Sequence, residues 1–208
     1  MRRKKLMIIV ISIAVAAVLA FGGYNVYRRP AVFRSLSDNS LSKGQTEAVR
    51  SEIFAKRDVK VLAAYFSYSG TTKKAAESIS EKTGGDLFEI TPLNGYSNVY
   101  TQSNREIRRG ERPALADTVE NMDEYDVVLV GYPVWWHAAP APINTFLESY
   151  DFSGKLIIPF CTSGGSNIAE TMPTFLDSCD GLAVYGEKRI LSSDETDRWL
   201  SDLGFAAQ

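Results

Sequence analysis

The sequence predicts an α/β domain built on a doubly wound, five-stranded parallel sheet of order 2-1-3-4-5, carried behind an N-terminal transmembrane helix. Three observations predict it. Short apolar runs alternate with segments of helical periodicity from residue 59 onward, which implies a parallel sheet with helices on both faces. Glycine- and hydroxyl-rich loops follow two of those runs, and an aromatic-rich loop follows a third. Residues 6–24 contain no charged side chain. The division that follows is an anchor at 1–24, a linker at 25–57 and the folded domain at 58–208.

The anchor comes first in the chain. LMIIVISIAVAAVLAFGGY, residues 6–24, follows a cationic cluster at residues 2–5. As a helix it would reach about 28 Å, close to the hydrocarbon thickness of a bilayer. It reads as an uncleaved signal anchor rather than a cleaved secretory signal, because the run is long and the small-residue exit at Val18-Leu19-Ala20 is imperfect. No polar face would let it lie in a soluble protein. Four basic residues precede the span and Arg28 and Arg29 follow it. That asymmetry places the N-terminus in the cytoplasm and the domain outside, or the domain secreted if the signal is cut. Residues 25–57 read as a tether, with a short helix possible across 45–56 through Val49, Ile53 and Phe54.

The domain begins with VKVLAAYFS (59–67), a run suited to a strand buried on both faces. Residues 71–83 place Ala75, Ala76 and Ile79 at helical spacing, and Gly84-Gly85 stops the helix. A short second strand covers 86–90. Residues 91–113 read as a long charged loop entering a helix near 103–110. DVVLVGY (126–132) is the clearest central strand. A helix follows over 141–150, with Pro142 in its first turn. Residues 155–160 form the fourth strand, and 167–178 a helix that Pro173 can interrupt. The fifth strand covers 182–190. Ser193 or Asp194 caps a last helix that runs to Leu203, with Gly204 at its end.

Charge divides the chain as the hydropathy does. Residues 1–57 carry 11 basic and 3 acidic side chains, while residues 58–208 carry 12 and 22. The domain is therefore acidic, and phosphate-rich nucleic acid is an unfavourable partner.

In a sheet of this order the winding reverses between the first and third strands, and ligands bind beyond the carboxyl ends there. The loops after Phe66, Tyr132 and Phe160 are therefore where a ligand is expected, whatever motifs they carry. The first is Ser67-Tyr68-Ser69-Gly70-Thr71-Thr72, which joins a strand to a helix N-terminus. Free N–H groups and the helix dipole favour an anion there. Several hydroxyls exceed what one cap needs. No lysine follows the glycine at P-loop spacing, so a phosphate monoester fits better than a nucleoside triphosphate with Mg²⁺. The second loop is Tyr132-Pro133-Val134-Trp135-Trp136-His137-Ala138-Ala139-Pro140. Its aromatics can stack on a flat heterocycle. His137 is the only histidine, and with no Cys or Glu constellation beside it no metal site is expected. It reads as a polar contact or a surface residue. The third loop is Cys161-Thr162-Ser163-Gly164-Gly165-Ser166, whose glycines permit close approach of backbone to a ring.

With these residues in view, residues 59–208 resemble the flavodoxin family. FSYSGTT looks like its FMN-phosphate loop, GYPVWWHAAPAPINTFLESYDFSGK like the loop, helix and lead-in strand of flavodoxin-like reductase-type domains, and PFCTSGGS like its third flavin loop. The resemblance implies noncovalent FMN. Ser67, Ser69, Gly70, Thr71 and Thr72 would hold the phosphate, with Tyr68 in the same loop. Pro133, Val134, Trp135, Trp136 and His137 would line the isoalloxazine, and Thr162, Ser163, Gly164 and Gly165 would border its other side. Unlike long-chain electron carriers, the sequence has no extra loop splitting the fifth strand.

The resemblance implies electron transfer, with chemistry that is the cofactor's own. No nucleophile, triad or metal is expected. The partner would be a redox protein or a small electron donor or acceptor. A quinone-type reductase and a flavin-free binding module are the alternatives. The absence of a G-x-G-x-x-G fingerprint leans toward a carrier. Finally, Cys161 and Cys179 flank a helix of about 12 residues, or about 18 Å. A disulfide needs Cα atoms within about 7 Å, so two free thiols are expected.

Overall fold

The computed structural model describes residues 38–205. The elements in chain order are α1 (Lys43–Phe54), β1 (Val61–Tyr65), α2 (Thr71–Thr83), β2 (Asp86–Glu89), α3 (Val99–Arg109), β3 (Val127–Pro133), α4 (Ala141–Glu148), β4 (Leu156–Thr162), α5 (Met172–Leu176), β5 (Ala183–Val184), β6 (Lys188–Arg189) and α6 (Ser193–Leu203). The segment expected to cross a membrane, residues 6–24, lies outside the described residues. Among those described, no helix is long and apolar enough to span a bilayer.

The sheet runs β2-β1-β3-β4-β5, with every pairing parallel. Alternation along the central strands sorts their side chains into two cores. Leu62, Ala64, Val128, Val130 and Ile157 face a layer holding Ile143, Phe146 and Phe175. Val61, Ala63, Val127, Leu129 and Ile158 face the opposite layer, with Ala76 and Ile79 of α2 and Trp199, Leu200 and Leu203 of α6. Both faces are covered, which is why these strands read as unbroken apolar runs.

The fifth strand differs from expectation. In place of one strand over 182–190 there are two short pieces, β5 against Leu156 and Ile157 and β6 against Phe160 and Cys161. Gly186 lies between them at φ +66°, and a Cβ there would meet Leu203 Cδ2 at 2.4 Å. The Trp199 indole N–H donates to the Gly186 carbonyl at 2.8 Å. The packing of α6 therefore bends the edge strand where the sequence pattern runs straight through.

One helix forms as read but packs where a tether is expected, and two others depart from the sequence reading. The helix possible across 45–56 forms as α1 and packs on the domain, with Ile53 in the second core. The Leu41 N–H donates to the Leu182 carbonyl at 2.9 Å. Helix α3 starts before residue 103 because Asn98 caps it, its Oδ1 accepting the Thr101 N–H. The helix expected over 167–178 is a 3₁₀ turn, Ile168–Glu170, followed by the five-residue α5. Pro173 sits in the first turn of α5, where its missing N–H costs nothing. The Cys161 and Cys179 thiols are free and fully buried, and burial pushes each up to about 12.

Candidate functional site

The carboxyl ends of β1, β3 and β4 deliver the three loops to one edge of the sheet. The first loop turns at Gly70, whose φ of +85° suits glycine. The Gly70 N–H donates to Ser67 Oγ at 3.1 Å, and Ser69 and Thr71 pair their hydroxyls at 3.3 Å. Beyond the glycine, α2 begins without a side-chain cap. By contrast, Asn98 caps α3 and Ser192 caps α6. The first-turn amides of a helix have no intrahelical acceptor, so at α2 they form a donor set facing outward beside exposed hydroxyls. That chemistry suits a phosphate group. Thr72 is different. It is buried, and its hydroxyl pairs with that of Thr162 at 2.8 Å, joining the first loop's helix to the end of β4.

The second loop continues β3 through Val134, whose N–H donates to the Thr162 carbonyl. Trp135 and Ala138 then exchange two backbone hydrogen bonds, at 3.1 and 2.9 Å. The two residues between them, Trp136 and His137, both have positive φ, 54° and 61°. This is a type I′ turn, a geometry that favours Asn and Gly and strains a bulky residue such as Trp136. Trp135 and Trp136 are both half-buried. The Trp135 ring meets Phe66 and Tyr96 edge-on, each at 5.1 Å, and Tyr68 at 5.9 Å. The Trp136 Nε1–H donates to Ser103 Oγ at 2.9 Å. His137 Nδ1 bonds Glu170 Oε2.

The third loop leaves β4 at Thr162. Ser163 Oγ accepts the N–H groups of Gly165 and Ser166, at 3.2 and 2.9 Å. A Cβ on Gly164 or Gly165 would meet no protein atom within 4 Å. Arg189 of β6 holds the loop from behind by donating to the Ser166 carbonyl at 2.9 Å. The Glu170 carboxyl lies below its ordinary range, because it accepts the Asn167 N–H and bonds His137.

A cavity of about 440 Å³ opens among these parts, within the range of roughly 300–1,000 Å³ usual for small-molecule sites. Tyr68 lines it from the first loop, Val134, Trp135, Trp136 and His137 from the second, and Ser166 from the third. Ser166 lies one residue beyond the expected set, and the other expected residues (Ser67, Ser69, Gly70, Thr71, Thr72, Pro133, Thr162, Ser163, Gly164 and Gly165) are not among those that line the cavity. Its wall contains no Lys, Arg, Asp or Glu, which suits an uncharged ring.

Helix α3 supplies Val99, Tyr100 and Ser103 to the same wall, and the sequence reading did not name them. Their spacing puts them on one side of a helix, but residues 91–113 read as mostly loop. Glu170 was missed as well, since its tie to His137 spans 33 residues.

Comparison with known proteins places this arrangement. A family model described as Flavodoxin matches residues 60–203. A crystal structure of a protein from Bacteroides eggerthii assigned as a flavoprotein is 36% identical, with a TM-score of 0.62. The match covers 72% of this chain and 100% of that one. A flavoprotein from Lactobacillus acidophilus, crystallised in complex with FMN, is 31% identical with a TM-score of 0.57; here the match covers 68% of this chain and 99% of that one. A search of curated proteins finds no match.

Proposed function

This chain belongs to the flavodoxin family, and from that premise we propose that it binds FMN and works as an electron-transfer protein tethered to a membrane through residues 6–24. One observation carries the proposal. An uncapped helix N-terminus with exposed hydroxyls and an uncharged aromatic cavity lie at the same sheet edge. The first takes a phosphate tail and the second a flat ring. The FMN complex of the Lactobacillus relative supports the choice of ligand.

When bound, FMN supplies one- and two-electron chemistry. The chain's own residues do the rest. The amides of Thr71, Thr72 and Lys73 and the hydroxyls of Ser67, Ser69 and Thr71 take the phosphate. Trp135 and Tyr68 offer aromatic surface to the ring, while Gly164 and Gly165 leave room beside it. The low-charge wall and the acidic domain around it would disfavour negative charge on a bound flavin and so would lower its potential. The partner is a redox protein or a small electron donor or acceptor, not nucleic acid. The basic cluster before residue 6 puts the domain outside the cytoplasm.

The test is an absorbance and fluorescence titration of the detergent-solubilised chain with FMN. Displaced flavin bands and quenched fluorescence are expected, and an unchanged spectrum rejects the flavin assignment. Redox titration then separates the roles. A one-electron step with no NAD(P)H oxidation fits a carrier, whereas steady NAD(P)H oxidation with a quinone would make the chain a reductase. Protease protection in vesicles checks the tether.

A further inference from the structure

Two consecutive non-glycine residues in left-handed conformation are costly. Among the described residues, Asn121 is the only other non-glycine with positive φ, and asparagine tolerates that region. Trp136 is not of that type, and with His137 it makes two such residues in succession, so the turn must be held by its surroundings.

Each strained residue is tied by a ring nitrogen, and the two ties run to different elements. Trp136 donates to Ser103 Oγ on α3. Ser103 is buried, and its own O–H donates to the Val99 carbonyl, which leaves Oγ turned as an acceptor. His137 bonds Glu170 of the 3₁₀ turn after β4. An ionised carboxylate only accepts, so the Nδ1–H of His137 is the donor. The other oxygen of Glu170 accepts the N–H of Asn167, the cap of its own 3₁₀ turn, at 2.7 Å. One carboxylate therefore ties the second loop to the 3₁₀ turn that follows the third.

We propose that Glu170 is a positioning residue, with Ser103 as its counterpart: together they hold the Trp136–His137 turn in its strained form, so that the aromatic wall is in place before a ligand arrives. Glu170 does not line the cavity, and Ser103, which does, acts here through its bond to Trp136. Glu170 is set by a capping arrangement of its own 3₁₀ turn, so its carboxylate is in place without the histidine. The binding arm of the test rests on the flavin reading above.

The experiment compares Glu170→Ala and Glu170→Gln, each in the parent chain and in a His137→Gly background. The first readout is flavin-free: hydrogen exchange of the Ala138 N–H, which closes the turn onto the Trp135 carbonyl. Glu170→Ala should speed that exchange about tenfold, the factor that corresponds to one lost tie. Glu170→Gln keeps an oxygen acceptor and should recover most of the protection. The second readout is affinity. Glu170→Ala should weaken FMN and riboflavin by the same factor, about tenfold, because the turn faces the ring and not the phosphate. In the His137→Gly background glycine adopts the turn unaided, and Glu170→Ala should then change neither readout. Unchanged exchange in Glu170→Ala overturns the proposal. So does an equal loss of affinity with and without His137, since the carboxylate would then act on the ligand or third loop directly. A parent chain that fails to bind FMN rejects the flavin reading alone, and the exchange arm still decides the role of Glu170.

Discussion

The first and second loops leave adjacent strands at the same edge, yet they solve their geometry in opposite ways. The first places its left-handed residue at Gly70 and leaves its helix uncapped. The second puts Trp136 and His137 at left-handed positions and ties each to a neighbour. The difference follows from what each must present. Backbone amides can be shown to an anion by a residue with no side chain. An aromatic wall needs the side chains themselves, so glycine cannot relieve the strain, and outside ties must offset it.

Thr71→Glu tests that division most severely. A carboxylate at the first turn of α2 suits the helix dipole and should leave the fold as stable or slightly more so. It would repel a phosphate, and FMN affinity should fall on the order of 100-fold, about 2.7 kcal/mol. Riboflavin, which has no phosphate, should bind about as before. Equal losses for both flavins would mean that the first loop does not hold the phosphate.

Trp135→Ala is the complementary change. It removes aromatic surface from the wall and the packing against Phe66 and Tyr96. Stacking losses of about 1–3 kcal/mol predict a fall of roughly tenfold or more for FMN and riboflavin alike, with a lower Tm. If FMN alone weakened, the two loops would not divide the ligand as described.

Backbone strain gives a smaller and cleaner contrast. Gly70→Ala introduces a Cβ that meets nothing within 4 Å, so its cost is the left-handed conformation, about 1 kcal/mol. At the exposed His137, glycine should be neutral to within about 1 kcal/mol while valine, β-branched at φ 61°, should cost about 2 kcal/mol. Chemical denaturation measures both. A stabilised Gly70→Ala would show that the first loop does not need its glycine.

The smallest expected change concerns the thiols. With both pushed up to about 12 by burial, iodoacetamide should leave Cys161 and Cys179 unmodified in the native chain and label both after denaturation. Rapid native labelling of Cys161 would mean that the end of β4 opens beside the cavity.

By itself the amino-acid sequence determined the strand order, the sheet edge that carries the site and the three loops. The reason is local. Strands covered on both faces must be continuously apolar, as in 127–132, and turns that end them need Gly, Ser and Thr, as in 67–72. Tertiary structure alone decided the rest. The type I′ turn at Trp136 and His137 lacks the Asn-Gly signature and exists through contacts with residues 33 positions away on either side. The break at Gly186 answers to Leu203 and Trp199. Helix α3 joins the wall because the sheet places Val99, Tyr100 and Ser103 opposite the second loop. Contacts between distant segments leave no periodic trace in the chain, so only the folded arrangement reveals them.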